Sequence, residues 1–378
     1  ITATLSPVLT TEFNLLAGDL GLLAGGYFLG FASMQIPLGY LLDKQGPKKI
    51  VSSFLLIAIV GTASFALAQS FAGLLISRIL IGVGVSACLM GPLTGYRIWF
   101  ADEYQQRGNS WMLMIASTGF VFSTLPVQIL LPIFGWRWVF GGITILIFIV
   151  IILILLFIPS WKNETDNNNE KNFGSLSDIW KNKFFRSTIP LGLFNYGGMI
   201  AIQTLWAGPW MVRVAGYNPL ESATGLFWIN TTMLIAFFVW GYILPKITKF
   251  GLETMKLMKF GLPISYLFLL VIIISGENAG AIHFTIYILT SIVLTLTQPA
   301  IALSFPASLA GKSLTSFNLL IFLGTFIMQW GIGLVIDMCR FLGKGEIQSF
   351  QISFFIYLLI CIFSYLYFIF NNKNLKNE

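Results

Sequence analysis

Residues 39–49 read GYLLDKQGPKK, and residues 241–251 read GYILPKITKFG. Each stretch follows a long apolar run, opens with a Gly-Tyr pair and becomes basic before the next apolar run begins. Repetition of one helix connection at about half the chain length is typical of membrane proteins built from two similar halves. The repeat therefore predicts a duplicated membrane protein.

The composition supports a membrane location. Of the 378 residues, 56% are hydrophobic and only 10% are charged, whereas soluble domains carry about 25% charged residues. The three cysteines, Cys88, Cys339 and Cys361, are far apart and have no His pair near them, so neither a disulfide framework nor a metal site is predicted. The formal net charge of +7 is dispersed over short inter-helix segments. We therefore expect the lipid bilayer, and not nucleic acid, as the macromolecular partner.

A helix needs about 20 apolar residues to cross a bilayer. The sequence predicts eleven such spans, at residues 18–42, 49–69, 72–100, 108–134, 137–158, 187–212, 221–244, 256–276, 279–305, 313–336 and 349–370. Residues 1–9 are too few to cross, and the opening sequence ITATLSPVLTTEF reads as the outer end of a first helix that is largely missing from this chain. With that helix the count would be twelve.

A polar segment divides the spans into two groups. The predicted domains are an N-terminal helix bundle at 1–160 with a truncated first helix, a cytoplasmic linker at 161–186 and a C-terminal helix bundle at 187–378. A short amphipathic helix at 176–185 is expected along the membrane surface. Most of the 22 Lys and Arg lie on the linker side, which predicts that both termini and the linker are cytoplasmic. Abundant Ile, Asn, Lys and Phe indicate a bacterial inner membrane.

The connection at 39–49 also carries a recognisable motif. It resembles the loop between the second and third helices of the major facilitator superfamily, G-x-x-x-D-[RK]-x-G-x-[RK]-[RK]. Further matches follow in order: Arg78-x-x-x-Gly82-x-Gly84, Trp99-Phe100 before Glu103 and Arg107, and Gly135-Trp136-Arg137-Trp138-Val139-Phe140. The resemblance covers the whole chain. It implies an all-α integral membrane fold of two six-helix bundles with inverted 3+3 repeats, acting as a monomeric carrier without a cofactor.

The same connection supplies the candidate gating residues Gly39, Asp43, Gly46, Lys48 and Arg107. Gly39 is expected to allow close helix packing and Gly46 a tight turn, while the lysines resist translocation. Two interpretations of Asp43 stay open. It either only fixes the turn, or it forms a conformational latch by pairing with Arg107 or capping a neighbouring helix. The second half has Pro245 in its place, which suggests asymmetric gating.

The chain lacks the residues that hydrolytic or ATP-driven chemistry needs. It has one histidine, His283, and neither a G-x-S-x-G nor a Walker pattern. We therefore predict that it is not an enzyme. No Asp or Glu falls in the middle of a predicted span, so a coupling proton would have to use His283, a helix-end acid such as Asp19 or Asp337, or a residue of the missing first helix. Otherwise the carrier is a uniporter or exchanger.

The candidate substrate-binding residues are concentrated in the seventh span. Asn195, Tyr196, Gln203 and Trp206 lie there, and steps of eight and three predict one shared helix face for Asn195, Gln203 and Trp206. The resemblance places this face against substrate, although a role in interhelical packing stays open. Trp210 and Arg213 are expected in the interfacial belt.

Other polar side chains within spans are further candidates for substrate contact or for hydrogen bonds between helices: Arg78, Asn230, Thr231, Gln298, Asn318 and Gln329. A buried arginine either pairs with backbone carbonyls or contacts an anionic group. The glycines of the second span, Gly21, Gly25, Gly26 and Gly30, predict close helix packing.

These residues favour a secondary active or facilitative transporter for a small polar organic solute, such as an anion, an amino acid or a short peptide. Amides, aromatics and an arginine are present, whereas no mid-span acid would balance a cation. Uptake is favoured because residues 116–126 read ASTGFVFSTLP, without the paired glycines and Gly-Pro of the exporter signature. An exporter of hydrophobic drugs or lipids and a non-transporting receptor are the alternatives.

Overall fold

The computed structural model describes residues 1–159, 176–249 and 254–372. Within these ranges the side chains are described at all positions except residues 97–98, 102–103, 106–107, 109–110, 113, 241–242, 244–249 and 307–308. The described part of the chain is built from helices and contains no β-strand. This agrees with an all-α membrane fold, since a helix satisfies every backbone group within its own segment.

The first half of the chain contributes eight helices. They are α1 (Thr2–Phe13), α2 (Ala17–Ser33), α3 (Gln35–Gln45), α4 (Pro47–Leu67), α5 (Phe71–Val85), α6 (Ala87–Trp99), α7 (Asp102–Phe122) and α8 (Leu125–Phe157). Helices α2 and α3 are bent by 45° relative to each other. Pro37 explains this bend, because it has no N–H to donate to the carbonyl of Ser33, where α2 ends.

The second half continues with ten α-helices and four differently wound segments. The α-helices are α9 (Leu176–Lys181), α10 (Lys183–Pro190), α11 (Gly197–Ala201), α12 (Ala207–Arg213), α13 (Pro219–Lys249), α14 (Thr254–Ser275), α15 (Ala281–Thr290), α16 (Thr297–Leu303), α17 (Ala307–Phe341) and α18 (Glu346–Asn371). The π-helices are Leu191–Tyr196 and Ile202–Trp206, and the 3₁₀-helices are Gly276–Asn278 and Ser291–Leu296.

The described residues provide fewer clear spans than the eleven predicted. Eight helical segments are long and apolar enough to cross a membrane, or nine when α2 and α3 count as one bent span. Residues 187–212 fall short because π-helices cut them into pieces. The predicted span 108–134 is divided between α7, whose first half contains the polar run QQRGNS, and α8, which begins at Leu125.

Two π-helices interrupt the segment from α10 to α12. The N–H of Gly197 bonds to the carbonyl of Gly192, and the N–H of Ala207 bonds to that of Ile202. These five-residue steps replace the four-residue steps of an α-helix. The sequence predicts a bendable helix here from its glycines and Pro209. The structure confirms an irregular helix and places the irregular turns immediately before Gly197 and Ala207.

By its internal contacts the chain divides into two compact units. Unit 1 contains Ile1–Leu22, Phe120–Gln128 and Gly174–Glu378, and unit 2 contains Leu23–Gly119 and Ile129–Phe173. The predicted domain bounds at 160 and 186 therefore stay a prediction, since most of that linker lies outside the described residues.

Each unit has its own apolar core. In unit 2, Leu38, Leu42, Ile50 and Phe54 belong to one buried cluster. In unit 1 a cluster around Ile301 and Phe317 includes Ile179 of α9 and Phe185 of α10, both fully buried. The amphipathic helix predicted at 176–185 is thus two helices anchored by apolar side chains. They are separated at Asn182, whose side chain accepts from Phe185 N–H at 3.0 Å.

Glycines bring α2 and α5 of unit 2 into backbone contact. A Cβ added at Gly30 would overlap the carbonyl oxygen of Ile79, and one at Gly82 would overlap that of Tyr27. At Gly26 an added Cβ would lie 2.9 Å from Leu75 Cδ1. Small residues allow this approach inside a membrane. The close packing predicted for Gly26 and Gly30 is therefore confirmed.

Replacing Gly82 by Ala should destabilise unit 2. The added methyl must displace the Tyr27 backbone, and overpacking of this kind costs about 1–3 kcal/mol. Gly141 in α8 is the matched control, because an added Cβ there meets no described atom within 4 Å. Gly141→Ala should be neutral or stabilising by up to about 1 kcal/mol. Thermal unfolding of the purified protein, followed by tryptophan fluorescence, compares the two, and an equal melting temperature for both variants would contradict the packing role.

Candidate functional site

The basic connection between α3 and α4 turns at Gly46. Its φ is 76°, in the left-handed region that favours glycine. Its N–H donates to the carbonyl of Leu42 at 2.9 Å, which ends α3, and Pro47 begins α4. The tight turn predicted for Gly46 is therefore confirmed.

The other gating candidates have few contacts among the described atoms. Asp43 is exposed and Lys48 is half-buried. The side chain of Arg107 lies outside the described part, so its pairing with Asp43 stays a prediction; the same holds for the comparison with Pro245. Gly39 is exposed, and an added Cβ would meet no described atom within 4 Å. The close packing expected at Gly39 is thus wrong with respect to the described atoms, and Gly46 followed by Pro47 explains the sharp connection.

Arg78 faces the interior of unit 2, as its position within a span predicts. It is 8% exposed, and its guanidinium carbon lies 5.4 Å from the ring centroid of Tyr27 on α2. A cation over an aromatic face gains about 2 kcal/mol when water is excluded. The close approach of α2 and α5 at Gly82 places the two side chains together. Contact of Arg78 with an anionic solute stays a prediction.

Asn195 is held by three neighbours in unit 1. Its side-chain oxygen accepts from the hydroxyl of Tyr266 at 2.6 Å. Its side-chain NH₂ donates to Ser364 Oγ and to the carbonyl of Cys361 at 3.3 Å. The amide therefore links the first π-helix to α14 and α18 of the same unit. To bind a solute, Asn195 would have to exchange one of these bonds.

A second group of polar side chains surrounds the second π-helix. Gln203 donates to the side-chain oxygen of Asn230 on α13 at 2.9 Å. Gln329 on α17 donates to Thr204 Oγ1 at 2.9 Å, and Trp206 donates to the Gln329 carbonyl at 3.1 Å. Gln329 is 1% exposed, and its side-chain oxygen has no hydrogen-bond partner among the described atoms. It is a buried acceptor that a donor group of a solute or a water could satisfy.

The shared face predicted for the seventh span is wrong. Asn195 bonds to α14 and α18, Gln203 to α13, and Trp206 to α17. The prediction assumed 3.6 residues per turn throughout. The two π-helices wind the chain more loosely, so residues that share a face in an α-helix diverge here.

The remaining candidates take part mainly in packing. Asn318 accepts from Gln298 at 3.1 Å, which confirms an interhelical hydrogen bond between these two residues. Tyr196 packs against the apolar cluster around Phe317. Trp210 is fully buried, its N–H donates to the Ala279 carbonyl at 3.1 Å, and its ring lies 4.6 Å from that of Phe354. Its assignment to the interfacial belt is therefore wrong.

Sequence reasoning missed the hydroxyl groups that complete these networks. Tyr266 and Ser364 bind Asn195, and the hydroxyls of Tyr287 and Tyr357 lie 2.9 Å apart in the same unit. A tyrosine in the middle of a span is a usable signal, because its hydroxyl needs a partner away from water.

Comparison with known proteins gives a consistent result. A profile of the Major Facilitator Superfamily matches residues 1–329. The chain is 22% identical over 230 residues to the probable sulfoacetate transporter SauU of Cupriavidus necator, covering 56% of this chain and 53% of that protein. It is 27% identical over 208 residues to the quinolone resistance protein NorA of Staphylococcus aureus, covering 53% and 52%. The chain thus spans about half the length of the curated relatives it matches.

A solved structure resembles the chain over nearly its full length. It is a bacterial homolog of the human lysosomal transporter Spinster, in an inward-facing and occupied conformation. The TM-score is 0.78 at 16% sequence identity, and the match covers 99% of this chain and 92% of that one. At this identity the likeness shows the fold alone.

A double-mutant cycle should detect the bond between Asn195 and Tyr266. Asn195→Ala and Tyr266→Phe should each destabilise the protein, and their coupling energy should be about 0.6–1.7 kcal/mol, the range for hydrogen bonds between membrane helices. Tyr365→Phe is the matched control, since that neighbouring hydroxyl donates to the Lys259 carbonyl instead. Equilibrium unfolding in mixed detergent gives the energies. Equal coupling of Asn195 to both tyrosines would contradict a specific bond.

Proposed function

This chain belongs to the Major Facilitator Superfamily and is a multi-pass membrane protein, and we propose that it is a transporter, not an enzyme, and that it carries a small polar organic solute by alternating access. Candidate solutes are an organic anion, an amino acid or a short peptide. The observation that carries this proposal is the chemistry of the buried polar side chains, which among the described residues are carboxamides, hydroxyls and one arginine.

The buried polar groups suit a solute with several hydrogen-bonding atoms. In unit 1, Asn195, Gln203, Asn230 and Gln329 are all less than a tenth exposed. A carboxamide offers both donors and an acceptor, and therefore recognises neutral or zwitterionic polar groups. The side-chain oxygen of Gln329 supports this most directly, since a solute donor could satisfy it.

The buried arginine of unit 2 supports a solute that carries an anionic group. Arg78 is buried beside the ring of Tyr27, and a buried cation within a span is by default a candidate functional residue that attracts anionic groups. The similarity to a probable sulfoacetate transporter agrees with an organic anion. Half-length similarity at 22% identity supports this class and leaves the solute itself to experiment.

The similarity to a quinolone resistance protein supports a second candidate function, export of hydrophobic compounds. Such an exporter would use an apolar site and would not depend on Arg78. We favour the polar solute because the polar side chains are buried within the helix packing of both units.

We further propose a monomer in a bacterial inner membrane with both termini and the linker in the cytoplasm. The argument is the excess of Lys and Arg on that side. On this orientation exposed Leu16, between α1 and α2, faces the outside. A cysteine at this position should react with an impermeant thiol reagent added to intact cells.

Coupling to a proton or ion stays open within this proposal. Helix-end acids that could take part are Asp19 in the first turn of α2 and Asp337 near the end of α17. Both are already engaged as acceptors of backbone hydrogen bonds. A uniporter or exchanger is therefore as compatible with the described residues as a symporter.

A thermal-shift screen against pools of metabolites should identify the solute. A ligand at 100 times its Kd stabilises the folded protein by about 2.7 kcal/mol. For an anionic solute, Arg78→Gln should abolish the shift, and Gln203→Leu and Gln329→Leu should weaken it. Gln351→Leu is the control, because Gln351 donates to the Ile273 carbonyl and is not a candidate for binding. A polar ligand whose shift survives all three substitutions would contradict the assignment, and stabilisation by hydrophobic compounds alone would favour the exporter.

A further inference from the structure

The first turn of α2 has its backbone donors bonded by two carboxylates. The N–H of Leu16 donates to Asp19 Oδ2 at 3.0 Å. The N–H of Ala17 donates to Asp337 Oδ1 at 3.0 Å, and the N–H of Gly18 donates to Asp337 Oδ2 at 2.6 Å. Asp19 lies on the same helix, whereas Asp337 lies on α17, 320 residues after Ala17. A distant helix thus supplies part of the cap of α2.

Glycines allow α17 to approach α2 closely enough for this cap. A Cβ added at Gly21 would overlap the carbonyl oxygen of Gln329, and one added at Gly333 would overlap that of Ala17. At Gly18 an added Cβ would lie 2.9 Å from Asp337 Oδ2. The two backbones are therefore in direct contact, and the carboxylate fills the space beside Gly18.

The negative charge of Asp337 is more favourable for the start of α2 than for the end of its own helix. A negative charge is unfavourable near the carboxyl end of a helix and favourable at the amino end. Asp337 lies in the last turns of α17, which ends at Phe341. Its carboxylate is 3.7 Å from Arg340, which also pairs with Glu346. Its strongest contacts are thus the two N–H groups of α2, which it can hold only while the helices touch.

Helix α2 is shared between the two units. Its residues up to Leu22 belong to unit 1 with α17, and its residues from Leu23 belong to unit 2. A conformational change that moves unit 2 must therefore bend α2 or separate its first turn from α17. We propose that Asp337 is a releasable latch, which holds the first turn of α2 against α17 in this conformation and releases it during the transport cycle.

The chemistry of the latch makes it releasable. The N–H groups of Ala17 and Gly18 are the unpaired donors that every helix start presents, so water can replace the carboxylate when the contact opens. The carboxylate is partly solvated already, with 21% of the Asp337 side chain exposed. Charge-assisted bonds of this kind are strong enough to bias two conformations and weak enough to break in a cycle.

Cysteine accessibility at Leu20 tests this proposal in the full chain. Leu20 is 2% exposed and directly precedes Gly21, whose backbone touches α17, so a cysteine there should react with a maleimide faster when this contact opens. The protein is reconstituted in lipid nanodiscs, and labelling is scored by mass spectrometry on the peptide that contains position 20. Asp337→Asn replaces one acceptor oxygen by a donor and should accelerate labelling at least about tenfold, the effect of losing one charge-assisted bond.

Two further variants make the test specific. Gly18→Ala keeps the carboxylate but crowds it, and should accelerate labelling in the same direction; it also decides the question if Asp337→Asn does not fold. Asp19→Asn removes an acid from the same helix end without touching α17, and should leave the rate within about twofold of wild type. Wild-type rates in both Asp337→Asn and Gly18→Ala would overturn the latch. Equal acceleration by Asp19→Asn would also overturn it, because fraying of the first turn would then be the cause.

Discussion

Backbone N–H and C=O groups inside a bilayer have no water to bond, and the rest of this structure depends on how the chain satisfies them. Regular helices do so by themselves. The exceptions are the helix starts and the irregular turns, and here side chains from other helices take part. Asp337 bonds the first turn of α2, and Ser364 on α18 donates to the carbonyl of Pro190, directly before the first π-helix. Two of the buried carboxamides, Asn195 and Gln203, lie in the π-helices themselves.

The fold was predictable because two strong signals agreed. Long apolar runs marked most of the spans, and the motif around Gly46 marked the connection between two of them. The predictions of side-chain direction that were wrong share a physical cause. Sequence periodicity assumes one helical pitch, so it could not foresee that π-helices would separate the directions of Asn195 and Gln203.

The candidate site was predictable in residue type but less so in contacts. A carboxamide within a span must find a partner, and the sequence showed which residues need one. It could not show that the partner of Asn195 would be a tyrosine on α14, because that pairing depends on tertiary packing. Trp210 failed for a similar reason, since a tryptophan near a helix end suits either the membrane interface or an aromatic core. Trp210 packs against the rings of Phe350 and Phe354 and therefore belongs to the aromatic core.

The most direct test of a carrier for polar solutes is counterflow in proteoliposomes. Vesicles containing the purified protein are loaded with a mixture of small organic anions, amino acids and short peptides, then diluted, and the retained solutes are quantified by mass spectrometry against protein-free vesicles. We expect one class of polar solute to leave faster through the protein, and external addition of that solute to exchange with it. Retention of every polar solute, together with protein-dependent movement of hydrophobic compounds, would contradict a polar-solute carrier.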